Sequence, residues 1–448
     1  MRKNKNIMIL GTSSGAGKSI VTAGLCRVFY KDGYSVTPFK AQNMALNSFV
    51  TKDGLEIGRS QSVQAAACRT EPRGYMNPLL LKPCGNNQIQ IILNGKPIGN
   101  MSGYDFSKEK PKFKKYILEA YKNTEKFDIC VLEGAGSPVE INIKENDLVN
   151  MGMAEMADAP VILTADIDRG GVFASVVGTM VLLEPHERER VKGVIINKFR
   201  GRKDMLLSGI EKLEEIIKVP VLGVVPYFEV DIEDEDRITE KLKKEKESIV
   251  NISVINLKHL SNFTDFDPLK KIKELSQKGK IIIGICGGFQ ILGKEIKDEK
   301  GAEGIPKTCE GLGLLNITTV FAEEKTLTQY EGRLKNTNGI LNNLDGEKIH
   351  GYEIHQGVSF SETETPITED KLLKALVKDN IFGTYIHGIF ENNSITERII
   401  NIIREKKGYS PEKIKETFKE YREKEFDKLE KIMRENLNIK KIYEIMEL

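Results

Sequence analysis

No stretch of this chain is apolar enough to cross a membrane, because every hydrophobic run falls well short of the roughly 20 residues a bilayer requires. The six cysteines, Cys26, Cys68, Cys84, Cys130, Cys286 and Cys309, form no Cys-x-x-Cys spacing. That pattern excludes the common zinc modules, and a chain of 448 residues needs no disulfides to build a core. An excess of one charge is missing as well: 67 Lys and Arg face 65 Asp and Glu, a net of +2. So neutral a balance offers no electrostatic reason to expect nucleic acid. Histidine is scarce, with five in the whole chain, which shortens the search for a general base. Internal repeats and low-complexity tracts are absent. The first residues are basic, but the apolar stretch behind them is short and runs into a glycine-rich loop. It reads as a first strand and not as a signal peptide. A cytoplasmic protein with neither a membrane nor a nucleic-acid partner is expected.

What is present is a globular composition, 40% hydrophobic and 29% charged, in a chain too long for one core and best divided into two domains. Up to residue 230, short β-branched or aliphatic runs at 6–10, 35–39, 128–132, 160–165, 192–196 and 220–225 alternate with helical stretches such as 18–31. The runs lack period-two alternation, as strands covered on both faces do, and predict an α/β fold with a doubly wound parallel sheet over 1–230. The stretch 41–115, rich in Gln, Asn, Gly and Pro, reads as polar loops at strand ends suited to substrate contacts. Residues 231–248 carry 13 charged positions out of 18, which predicts an exposed linker over 231–250. A second α/β pattern fills 251–408. Beyond it, Ser410, Pro411 and Glu412 offer a helix start. Ile414, Phe418, Tyr421, Leu429 and Ile432 then recur at mostly helical spacing, predicting an amphipathic tail over 409–448.

The segment GTSSGAGKS at 11–19 follows the first strand and opens a helix. The strict G-x-x-x-x-G-K-[ST] spacing puts Thr12 where its first glycine belongs, whereas the variant G-T-x-x-G-x-G-K-[ST] fits throughout. The physics is unchanged. Gly15 and Gly17 let backbone N–H groups and the helix N-terminus face phosphates, Lys18 reaches the β/γ oxygens, and Ser19 can hold Mg²⁺. A partner for the metal should be an acid at another strand end. Glu133, followed by Gly134-Ala135-Gly136, is the first choice, with Asp166 and Asp168 as further acids, one of which has the alternative of capping Arg169. Lys40 closes the second strand, where it can neutralise a transferred phosphoryl group. ATP and Mg²⁺ are the expected cofactors.

A second loop, GICGG at 284–288, follows Ile281, Ile282 and Ile283 and opens another helix. Its glycines permit the tight turn that exposes Cys286 at a helix N-terminus, where a nucleophilic thiolate is favoured. For the base, His186 lies in a charged stretch, His259 in a connection, and His350 and His355 flank residues 351–353. His387, closing an apolar strand before a glycine turn, is the best candidate. A phosphate cradle beside a thiol elbow suggests an enzyme that activates a carboxylate with ATP and supplies it with ammonia from glutamine.

The variant loop, Lys40 and the Glu133-Gly-Ala-Gly strand end resemble the dethiobiotin synthetase-like family. Much narrower are KAQNMALNS (40–48), EIGRSQ (56–61), MNPLLLKP (76–83), GAGSPVEIN (134–142) and NKFRG (197–201). With them, residues 7–230 resemble the cobyric acid synthase family. That resemblance implies a P-loop ATP domain fused to a flavodoxin-like, class I glutamine amidotransferase domain, in which Cys286 carries a glutamyl thioester and His387 shuttles protons. It implies that Asn197 reads adenine. It also implies that glutamine and adenosylcobyrinic acid a,c-diamide are substrates, the corrinoid being amidated at its b, d, e and g carboxylates through acyl phosphates.

One feature goes with this subfamily, which lacks the acid found elsewhere after the histidine, and one departs from the family. Ile389 holds the place, two residues after the histidine, where other triads carry an acid; the third group is unassigned and Glu391 is at most a poor substitute. The family's Pro-Gly-Ser-Lys-Asn loop, which follows a segment like 262–269 and helps form the oxyanion hole, is absent. The second domain is therefore expected to be shortened and glutamine hydrolysis impaired, with free ammonia still usable. Three rivals stay open. One is a cobyrinic acid a,c-diamide synthase, not expected to carry the 40–44 run. Another is a partitioning ATPase, which carries lysine where Thr12 stands, and the third is a nonenzymatic scaffold.

Overall fold

The six aliphatic runs form six parallel strands in the computed structural model, which describes residues 4–84, 88–233, 249–254, 267–301 and 306–448. They are β1 (Lys5–Gly11), β2 (Val36–Phe39), β3 (Ile129–Glu133), β4 (Val161–Asp166), β5 (Val191–Phe199) and β6 (Val221–Pro226). Their order across the sheet is β6-β5-β4-β1-β3-β2. Consecutive residues of β1 and β4 are buried on both faces, which is why neither strand alternates in sequence. The chain leaves β1 toward one edge and β4 toward the other, so a crevice falls at the carboxyl ends of the central strands. Register sets Ile9 beside Glu133, Gly11 beside Thr164 and Asp166 beside Asn197. Most of the charged linker expected at 231–250, and His259, lie outside the described residues.

The stretch 41–115 is not a set of loops. It holds a helix, α2 (Arg59–Ala67), which packs on α1 (Lys18–Lys31), and a four-stranded sheet of Gln42–Met44, Leu79–Pro83, Gln88–Leu93 and Lys96–Ser102. Several of the polar residues that suggested loops, Asn43, Gln61, Gln64 and Asn77, are buried and hydrogen-bonded inside the protein, whereas Asn94 and Asn100 are exposed. Asn43 Nδ2 donates to Gln61 Oε1 at 3.2 Å, and the Gly58 amide donates to Asn77 Oδ1 at 3.0 Å.

The chain divides into two compact units, one of Met1–Thr51, Leu55–Ile238 and Arg422–Leu448, the other of Lys52–Gly54 and Thr239–Tyr421. In the second, β7 (Ile282–Ile285) runs into α3 (Gly287–Leu292). Strand β8 (Lys348–Phe360) pairs with the long strand Thr318–Arg333 in a mixed five-stranded sheet. Two later strands, β9 (Ile381–Thr384) and β10 (Ile386–His387), join different sheets: β9 lies parallel to β7, and β10 antiparallel to β8. Among the described residues β7 pairs with β9 alone, so its sheet has three strands.

The C-terminal helix starts later than its sequence suggests. No helix begins at Ser410; the Glu412 amide donates to Asn401 Oδ1 at 2.8 Å instead. The start of α4 (Phe418–Asn436) is fixed by Thr417 and Glu420, which satisfy each other's amides in a reciprocal cap. Phe426, Leu429 and Met433 of α4 are fully buried, and a Cβ on Gly24 of α1 would lie 2.5 Å from Met433 Cγ. Each such side chain stabilises by about 1.5–3 kcal/mol through burial.

Fully buried Arg27 of α1 donates to Glu423 Oε2 at 2.8 Å, Asp427 Oδ1 at 2.7 Å and the Ala67 carbonyl at 3.1 Å. Burial would raise the Glu423 and Asp427 carboxyls, but Arg27, with Arg69 and Lys31, holds both below the usual range. Depressed folded values mean stability that is present above the unfolded carboxylate range near pH 4 and lost as pH falls through the folded values. Arg27→Ala is expected to cost about 2–3 kcal/mol, less than a fully buried pair because both acids touch solvent. Urea unfolding measured against pH should show a lower midpoint at neutral pH and a flatter acid limb.

Candidate functional site

The first site is built at the carboxyl ends of β1 and β3. Gly15 and Gly17 adopt left-handed φ values of 74° and 93°, which turn the loop into α1, and a Cβ on Gly17 would lie 2.1 Å from Asn197 Nδ2. Lys18 Nζ donates to the carbonyls of Ser13 at 3.0 Å and Gly136 at 2.9 Å. These are neutral acceptors that phosphate oxygens would outcompete, so the cradle fits a nucleotide triphosphate tail.

Glu133, 1% exposed, gathers four donors. Ser19 Oγ at 2.6 Å and Lys40 Nζ at 3.0 Å meet Oε1; Gln64 Nε2 at 2.6 Å and Gln61 Nε2 at 3.5 Å meet Oε2. Burial alone would raise this carboxyl, but the Lys40 charge and the bonds from Ser19 and Gln64 outweigh it and hold it below the usual range. An ionised oxygen beside the Ser19 hydroxyl suits a hard cation such as Mg²⁺. Among the described residues no cluster of three or more His, Cys, Asp or Glu could hold a metal, so water and phosphate would have to supply the remaining ligands.

The other strand ends are engaged differently. Asn197 Nδ2 donates to the Ala16 carbonyl at 3.0 Å, under the loop. Lys198, at φ 61°, reaches the Gly15 carbonyl at 2.6 Å and Asp166 at 2.7 Å. Asp168 pairs with Arg200 at 2.8 Å, while Arg169 lies 3.8 Å from Asp166. The two aspartates are thus tied to loop cations and not to Ser19. Sequence reading missed Gln64 and Lys198. Gln64 gave no local signal: it lies inside α2, where Val63 and Ala67 join the apolar core and Ser60, Gln61, Ser62 and Gln64 are buried as well.

The second site lies where β7 meets α3. Cys286 adopts φ 53°, ψ −114°, an unusual conformation for a side chain with a Cβ, and caps α3. Gly284 allows the tight return, since a Cβ there would lie 2.6 Å from the Gly288 carbonyl oxygen. The Cys286 amide donates to the Thr384 carbonyl at 2.8 Å, three residues before His387, and its thiol points to the Ile354 carbonyl of β8 at 3.5 Å. His387 stands opposite Tyr352 and stacks on it at 5.2 Å. His387, Glu391 and Ile285, the residue before the cysteine, line one cavity of about 260 Å³.

Beside it lies a cluster that sequence reading did not assign. Glu353, 3% exposed, is bonded by Lys374 and, at 3.2 Å, by His355 Nε2. Burial would raise its carboxyl; the bonds from His355 and Lys374 hold it below the usual range. Of the remaining histidines, His350 exchanges backbone bonds with Asn392, and His186 sits in the short helix Pro185–Arg190.

Two family models match the chain: the CobQ/CobB/MinD/ParA nucleotide binding domain over residues 7–240 and the CobB/CobQ-like glutamine amidotransferase domain over 270–395. A cobyric acid synthase of Thermoanaerobacter sp. (strain X514) is 45% identical, with 98% of each chain covered. Those of Clostridium botulinum (strain Loch Maree / Type A3) and Clostridium novyi (strain NT) are also 45% identical, with 98% and 99% of this chain and 99% and 98% of theirs covered. The first alignment runs over 499 positions against 448 residues here, so at least 51 positions of that relative have no counterpart in this chain. On both domain matches and on these relatives, the chain belongs to the cobyric acid synthase family.

Proposed function

We propose that the chain performs the ATP- and glutamine-dependent amidation of a corrinoid in cobalamin biosynthesis, converting adenosylcobyrinic acid a,c-diamide to cobyric acid at the b, d, e and g carboxylates. The observation that carries the reading is the convergence of Lys18, Ser19, Lys40 and Glu133 on one crevice. In the first unit, a substrate carboxylate oxygen attacks the γ-phosphorus of ATP and ADP leaves. Ammonia then attacks the acyl carbon and phosphate leaves. Lys18 and Lys40 neutralise the phosphoryl oxygens, and Asn197 contacts the adenine. Mg²⁺, held by Ser19 and Glu133, would offset charge on the β and γ phosphates. In the second unit, the Cys286 thiolate attacks the glutamine amide carbon, His387 delivers the proton to departing ammonia, and water hydrolyses the thioester.

Incubation with ATP, an ammonium salt and either corrinoid, followed by mass spectrometry, tests the substrate. Four added amides on the a,c-diamide are expected. Two amides added to cobyrinic acid, with none on the a,c-diamide, would assign the chain to the diamide synthases instead, and ATP use indifferent to corrinoid would rule out both. The absent Pro-Gly-Ser-Lys-Asn loop makes a further prediction. With one oxyanion donor missing, glutamine turnover should fall about 10²–10³-fold below that of a relative carrying the loop, while ammonia-supported synthesis stays comparable. Matched turnover would show that another donor replaces it.

A further inference from the structure

Ile389 stands two residues after His387, where other triads carry an acid, and the thiol is surrounded by a closed circuit of contacts. The Gln290 amide, one turn into α3, donates to the Cys286 carbonyl at 3.2 Å. The Gln290 side chain donates to the Gln356 carbonyl of β8 at 3.0 Å and to Tyr385 Oη at 3.3 Å. Tyr385 Oη also meets Ser359 Oγ at 2.6 Å, and its ring stacks on His355 with centroids 3.8 Å apart and planes at 17°. His355 Nδ1 is bonded to the Gly357 carbonyl at 3.0 Å and Nε2 to Glu353 at 3.2 Å. Between Glu353 and His355 lies Ile354, whose carbonyl faces the thiol, and Glu353 stands opposite Ile386, next to His387.

We propose that Gln290, Tyr385, His355 and Glu353 are a positioning unit that sets the Cys286 thiol and the His387 segment against each other. Both ring nitrogens of His355 are engaged inside the cluster, and the ring is 7% exposed, so His355 acts through its neighbours and not on substrate. The circuit joins three elements: the helix behind the nucleophile, the strand the thiol faces, and the segment leading to the base. Breaking it leaves the glycine elbow intact but frees β8 and residues 385–387 to shift. A misplacement of about 1 Å can cost about 10²-fold in rate without weakening ground-state binding.

The inference deepens the glutamine-hydrolysing reading of this site, and its test separates the two. Tyr385→Phe removes the hydroxyl and keeps the stacked ring; His355→Ala removes the ring. For both, glutamine turnover is measured together with the rate at which iodoacetamide alkylates Cys286, followed on its own peptide by mass spectrometry. The expected result is a fall in kcat of about tenfold for Tyr385→Phe and about 10²-fold for His355→Ala, with KM within a factor of about two. Cys286 alkylation should change in the same order while Cys84 and Cys309 react at unchanged rates. Should His355→Ala unfold, Tyr385→Phe decides the matter. Native kcat and native Cys286 alkylation in Tyr385→Phe, or an effect confined to KM, overturns the proposal. Absence of glutamine turnover in the unmodified chain would count against the glutamine-hydrolysing reading, and the alkylation rates would still decide the positioning role.

Discussion

Lys18→Ala is expected to lower corrinoid-dependent ATP consumption by about 10³-fold or more, with ammonia supplied so that the second unit is not limiting. Phosphoryl transfer asks little covalent chemistry of a protein and depends on placing positive charge at the transferred group. Lys18 donates its ammonium to the Ser13 and Gly136 carbonyls, neutral acceptors that phosphate oxygens outcompete. Glu133→Gln should match the loss by a different route. The amide keeps the shape and can still bond Ser19, but it removes the charge that faces Lys40 in a pair 5% and 1% exposed. It leaves a buried ammonium without its counter-charge and the metal without its anionic ligand, which adds a stability cost of about 3 kcal/mol. ADP release assayed with and without the a,c-diamide checks both variants. More than about a tenth of the native rate in Lys18→Ala would mean that the loop is not where energy is transferred.

Cys286→Ser should remove glutamine-dependent amidation, by roughly 10⁴-fold or more, and spare ammonia-dependent amidation. A hydroxyl at this strained turn occupies the same place but is a far poorer nucleophile than a thiolate near neutral pH. Serine also tolerates the φ 53° conformation no worse than cysteine, so the fold should persist. Comparing ammonium and glutamine as nitrogen donors in one preparation reads both effects at once. Equal loss with both donors would show that Cys286 serves structure and not ammonia supply.

Much of the first unit was legible because parallel strands covered on both faces leave unbroken aliphatic runs, and Glu133 was readable as an acid at the end of one. The companions of Glu133 were only partly so. Lys40 and Ser19 sit at a strand end and a loop end, where motif spacing points to them. Gln64 sits inside a helix, and nothing local says which way it faces. The region 41–115 misled for the same reason, since Asn43 and Gln61 look solvated until their mutual bond is seen, and Asn77 until its bonds to the Gly58, Lys40 and Leu79 backbone are. At the second site the thiol elbow was plain from three glycines, whereas Glu353 and His355 lie in a 13-residue strand whose polar residues gave no sign of burial.

Sequence alone determined the strand-and-helix alternation, the two chemical loops and the candidate groups Lys18, Glu133, Cys286 and His387, because each rests on spacing within a few consecutive residues. Tertiary structure decided where the C-terminal chain goes, with α4 placed on α1 by Arg27 and Met433. It also decided which polar side chains are buried together around Glu133 and around Cys286. Those pairings join residues tens to hundreds of positions apart, and whether a polar group is buried or solvated depends on what the rest of the chain packs against it.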